Sequence, residues 1–125
     1  MARGDFAYVD ELWRRWAPNF VFPPQHRAHV KDTLRASMPG PVAMYRAGGF
    51  SVPRDPIPVP TLYIGGADDG CALPTLTRGQ DTVFTGDYEA ETWDRTGHFP
   101  HLEHPARTAD TVLRWLAGDR ERPSA

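Results

Sequence analysis

The sequence predicts an α/β architecture, with a helical segment ahead of a βαβα unit whose strands run parallel. Two observations carry this. Val59–Ile64 is a nearly continuous apolar run closed by Gly65-Gly66, the pattern of a strand buried on both faces of a parallel sheet. Around it, the order of periodicities is helix-rich, strand, helix or loop, strand, helix. The resulting divisions are a helical segment over 1–52, the βαβα portion over 53–117 and a polar tail over 118–125, expected to fray.

Residues 5–17 read as an amphipathic helix. Asp5 is placed to cap it, Phe6, Val9, Trp13 and Trp16 share a stripe, and Pro18 stops it. A second helix is expected over His26–Met38, with Val30, Leu34 and Met38 at fourfold spacing. Val42–Ala47 adds another helical turn or two, and Gly48-Gly49 opens a proline-rich connector. Nine of the chain's 13 prolines lie between residues 18 and 60, cutting that stretch into short helices and loops. Beyond Val59–Ile64, a turn is expected at Thr85–Asp87 and a weakly alternating strand at Tyr88–Trp93. A helix from Leu102 onward closes the chain, with Ala109, Val112, Leu113 and Leu116 as its buried side.

The bulk properties exclude several function classes. With 125 residues, the chain suits one domain with a modest core. Its formal net charge of −2 gives no broad positive field for nucleic acid or anionic lipid. The densest basic spot, Arg14–Arg15 between Trp13 and Trp16, reads as a solvated helix edge. No window nears the roughly 18 apolar residues of a membrane helix, and the N-terminus carries no signal-like apolar stretch. Cys71 stands alone, so no internal disulfide forms. A cytoplasmic protein without cofactor or metal is the expectation.

Two loops put titratable groups directly beyond a strand's C-terminal end, where sites of open α/β sheets gather. The first is Gly65-Gly66-Ala67-Asp68-Asp69-Gly70; the second is Thr96-Gly97-His98-Phe99-Pro100-His101-Leu102-Glu103. An acid on one and a histidine on the other can pair, the acid orienting the imidazole as a general base. Each also has a structural reading, since aspartates in Gly-rich loops commonly shape turns. A metal set of His98, His101, His104 and Glu103 is disfavoured because the spacing departs from H-E-x-x-H and Pro100 and Pro105 break the helix. Cys71 reads as a small buried thiol, since nothing nearby would lower its pKa.

These loops resemble a known family. Val59-Pro60-Thr61-Leu62-Tyr63-Ile64-Gly65-Gly66-Ala67-Asp68-Asp69 is similar to the "VPTLxIxGxxD" strand and loop of α/β-hydrolases, which presents the triad acid. Gly97-His98-Phe99-Pro100-His101-Leu102-Glu103-His104-Pro105 resembles the "GHFxHLExP" loop that presents the triad histidine. Further back, Leu12-Trp13-Arg14-Arg15-Trp16-Ala17-Pro18-Asn19 looks like a helix of the cap. Ala43-Met44-Tyr45-Arg46-Ala47 is similar to the "YYRA" or "WYRN" cap segment of the epoxide-hydrolase and haloalkane-dehalogenase branch. The resemblance covers about residues 5–117. It implies the C-terminal part of an α/β-hydrolase fold, with 1–52 as cap. Asp69 would be the triad acid with Asp68 as fallback, and His98 the general base. Tyr45 would be a cap tyrosine that protonates the oxygen of an opening epoxide, its other reading being a packed aromatic.

One element of that family is missing. No G-x-S-x-G elbow, nor its version with Asp, occurs in the sequence, and no oxyanion-hole motif precedes it. Ser37, Ser51 and Ser124 fall in a helix end, the connector and the tail. In the family both features lie N-terminal to the cap, and this sequence starts within cap-like residues. Expected, then, is epoxide or ester hydrolysis by an Asp–His pair whose nucleophile comes from elsewhere, the chain alone being weak or inactive. The substrate would be small and hydrophobic, and the partner either a chain supplying the missing N-terminal sheet or a second copy. The alternative is a non-catalytic interaction module using Trp13, Trp16, Phe20, Phe22 and Phe50 as an apolar surface.

Overall fold

The computed structural model describes residues 4–47 and 55–119. Helix α1 spans Ala7–Trp16, α2 Pro24–Ser37 and α3 Gly40–Arg46. Strand β1 spans Thr61–Gly66 and β2 Tyr88–Trp93; the short α4 (Pro100–Glu103) and then α5 (Pro105–Leu116) follow. The Gly48-Gly49 connector, Phe50, Ser51 and the tail from residue 120 lie outside the described residues.

The described chain divides into two compact units. One holds the residues up to Leu12 and those from Val21 through α3; the other holds Trp13–Phe20 and everything from Asp55 on. In the first unit, Phe6, Val9 and Phe22 are buried. Asp5, expected as a helix cap, lies two residues ahead of α1 with a left-handed backbone (φ 53°), and its carboxylate meets Arg35. Lys31 donates to Asp10 Oδ2 at 2.6 Å, fastening α2 to the start of α1. α2 begins two residues earlier than the spacing predicts, because Pro24 suits the first helical position, where no N–H is needed. Its Val30, Leu34 and Met38 are only half-buried.

In the second unit, β1 and β2 pair in parallel, with Thr61 opposite Tyr88 and Gly66 opposite Trp93. A parallel bridge between Ile57 and Phe84 extends the pairing. The strand expected to start at Val59 starts at Thr61, after Pro60, which has no N–H to donate. Thr61–Ile64 are half-buried rather than buried on both faces, because the sheet has two strands among the described residues.

The expected βαβα unit needs two corrections. The crossover between the strands carries two 3-10 turns, Pro74–Thr77 and Gln80–Val83, in place of an α-helix. Gly79, at φ 76°, sits in the left-handed region between them and stops a helix from propagating. In α5, Thr111 and Trp115 are buried, while Val112, Leu113 and Leu116 are 38%, 63% and 72% exposed and Ala109 is exposed as well. The inward stripe is His104, Thr108, Thr111 and Trp115, at fourfold, threefold and fourfold spacing. The expected apolar stripe faces the other way.

Trp93 is the centre of this unit. It is 1% exposed and its indole N–H donates to Glu91 Oε2 at 2.6 Å. The Arg107 guanidinium lies 4.1 Å above its ring, and the His104 imidazole meets it edge-on. Arg114, reaching across from α5, donates to both Glu89 and Glu91 on β2 and so ties the helix to the sheet. No helix among the described residues is long and apolar enough to cross a membrane.

Candidate functional site

β1 and β2 end side by side, and the loops that follow them are stitched together. The Ala67 N–H donates to Trp93 O at 2.9 Å and the Asp68 N–H to Thr96 O at 2.9 Å. The turn tightens at Gly66, where a Cβ would collide with the carbonyls of Thr96 and Gly97; only glycine lets the two loops touch there. Thr96 is fully buried between them, its hydroxyl donating to Asp94 O at 3.1 Å.

Asp69 and His98 face each other from these loops, with Asp69 Oδ2 2.8 Å from His98 Nδ1. The aspartate side chain is 6% exposed and the histidine 32%, so the acid is enclosed and the imidazole reachable. The other carboxylate oxygen, Oδ1, accepts the N–H groups of Cys71 at 2.7 Å and Ala72 at 2.9 Å. Asp69 is therefore both the turn former and the histidine's partner. Asp68, the fallback acid, is exposed and accepts from the Asn19 amide. Tyr63, on β1, has its pKa raised by burial and, secondarily, by the Asp69 carboxylate.

The histidine loop is gripped on its main chain at three successive residues. The Gly97 N–H donates to Glu103 Oε2 at 2.8 Å, and the Phe99 N–H to Glu103 Oε1 at 3.0 Å. Between them, the His98 N–H donates to Trp16 O at 2.8 Å. Trp16 closes α1, and the last carbonyls of a helix lack intrahelical donors, so this one is free to accept. Gly97 rests so close to Trp16 and Ala17 that a Cβ would strike Ala17 Cα. Aromatic rings line this side of the imidazole: Trp16 at 5.2 Å and Phe99 at 5.1 Å between centroids, with Trp13 edge-on to Phe99 at 6.1 Å.

Three other side chains were singled out by sequence: Tyr45, Ser37 and Cys71. Tyr45 sits on α3, in the first unit, 71% exposed rather than packed. Ser37 donates back to Thr33 O within α2. Cys71 is exposed, not buried, because the Asp69 turn carries it outward on its bonded N–H. Partial desolvation and then the Asp69 carboxylate push its thiol pKa up, opposite to an activated nucleophile. Among the described residues no three His, Cys, Asp or Glu side chains converge as a metal set. Both oxygens of Glu103 are engaged with the backbone instead.

The sequence places Glu103 in the histidine loop but does not disclose its hold on that loop's main chain. Its grip resembles a capping box, in which an acid reaches back to the first N–H groups of a helix. Here the acid comes four residues after the α4 cap, Phe99, rather than three, and the cap lacks a Ser or Thr side chain, so the usual pattern does not register. The remaining signal was Pro100 at the first helical position with an acid in the first turn.

Comparison with known proteins finds no family model, no curated protein and no solved structure that matches this chain.

Proposed function

We propose that the chain carries the acid and histidine of an α/β-hydrolase-type site, serving epoxide or ester hydrolysis with a nucleophile this sequence does not contain. The observation that carries this reading is the 2.8 Å contact between Asp69 and His98 beyond the ends of two parallel strands. With Asp69 accepting from Nδ1–H, the Nε2 lone pair is free to take a proton from a water or a hydroxyl. The buried carboxylate fixes the tautomer and offsets the charge that forms on the ring. Tyr45 would add the proton to an opening epoxide oxygen, and the aromatic residues beside His98 suit a small hydrophobic substrate.

A second reading has its own support. Leu113 and Leu116 are largely exposed on α5, beside a sheet of only two strands among the described residues. Such surface favours association, so the chain acts as an interaction module if it does no chemistry.

Turnover separates the two. Incubation with a p-nitrophenyl ester and with an aryl epoxide should give slow hydrolysis that falls to the buffer rate in His98→Ala. Hydrolysis above the buffer rate that His98→Ala leaves unchanged assigns the interaction reading instead.

A further inference from the structure

We infer that Glu103 is a positioning residue for His98, a role that rests on the acid–histidine reading above. The observation is the pair of bonds from one carboxylate to the N–H groups on either side of His98, at Gly97 (2.8 Å) and Phe99 (3.0 Å). A carboxylate that accepts two flanking amides fixes the plane of both peptides and, with them, the direction of the His98 Cα–Cβ bond. Bonds to a charged acceptor are about twice as strong as neutral ones, so the grip is firm for a loop. The third amide, that of His98 itself, is held by Trp16 O, which leaves the segment little freedom to swing the ring away from Asp69. Glu103 reaches the loop from α4, whose short helix continues through His104 into α5, so the imidazole is referenced to the helical layer as well as to the sheet. Glu103 does not touch the imidazole in any of these bonds; it acts through the main chain.

The test is nitrogen NMR of the His98 ring, with amide exchange, on the full chain and its variants. In the unaltered chain, Nδ1 should carry the proton and Nε2 should show the shift of an unprotonated nitrogen. In Glu103→Gln one of the two oxygens becomes an NH2 group, which faces an amide N–H that it cannot accept from. The amide so orphaned, Gly97 or Phe99, should exchange about tenfold faster or more, and the ring nitrogens should move towards averaged shifts. Glu103→Asp keeps the charge but shortens the arm by one methylene, and should give a partial loss; it carries the test if the glutamine variant does not fold. Thr108→Val is the matched control, since the Thr108 hydroxyl is shared between Pro100 O and His104 O in the same α4–α5 corner and bonds none of the three gripped amides at Gly97, His98 and Phe99. It should lower stability while leaving the ring signature intact. Unchanged nitrogen shifts in both Glu103 variants, or an equal change in Thr108→Val, would overturn the inference while leaving the Asp69–His98 pair standing. A proton found on Nε2 in the unaltered chain would sink the pair itself.

Discussion

At the scale of single residues, Asp69 shows how one side chain serves two ends. Its Oδ1 holds the turn through Cys71 and Ala72, and its Oδ2 meets His98. Asp69→Ala leaves two backbone donors and the imidazole without their acceptor, at a cost of about 2–3 kcal/mol. Asp69→Asn keeps a carbonyl oxygen for the turn and should cost only about 1 kcal/mol; urea titration of the two variants checks the order. Gly66→Ala should cost more than either, about 4 kcal/mol or outright failure to fold, because its Cβ meets backbone carbonyls that cannot step aside. The acid and the histidine were legible in the sequence because each follows a strand-like run at the edge where α/β sites assemble. The turn role was legible as well, and one carboxylate both shapes the turn and meets His98. Glu103 was legible as a residue of the histidine loop but its grip was not, since a side chain bonding the backbone four and six residues earlier leaves no periodic trace.

At the scale of elements, α5 was recognised but its orientation was not. Its apolar residues fall on two overlapping stripes, and hydrophobicity alone favours the one with Val112, Leu113 and Leu116. Buried instead are Thr111 and Trp115, with Thr108 half-buried, on a helix that Arg114 anchors to Glu89 and Glu91. Truncation distinguishes the faces: Trp115→Ala should cost about 3–5 kcal/mol, whereas Leu113→Ala should stay within about 0.5 kcal/mol. Equal losses measured by thermal or urea unfolding would reverse the assignment. The parallel pairing of β1 with β2 was legible from the apolar run and the order of helix-like and strand-like periodicities. The missing crossover helix was less so, since the left-handed backbone of Gly79 acts through local geometry rather than through composition.

At the scale of the whole molecule, the half-buried Tyr63 and Tyr88 weaken the fold at alkaline pH. Tyr63 is raised by burial and then by Asp69; Tyr88 is raised by burial, then by Tyr63 and Asp81. A pKa raised in the folded state means that the folded chain holds its proton longer than the unfolded one. That stability is fully present below the unfolded value, about pH 10, and is lost as pH climbs through the higher folded value. Circular dichroism across this range should show a decline that the double variant Tyr63→Phe/Tyr88→Phe flattens. Exposed Leu113 and Leu116, with a sheet of two strands among the described residues, should also make the apparent mass rise with concentration in light scattering, and Leu113→Glu/Leu116→Glu should suppress the rise. The central claim is narrower than any of these: Asp69 holds His98 as a general base. It is met most directly by the ring-nitrogen spectrum of His98 in the unaltered chain and in Asp69→Asn. The account predicts a proton on Nδ1 and an open Nε2 in the first, and a mixed or reversed tautomer in the second. Identical spectra in the two would contradict it.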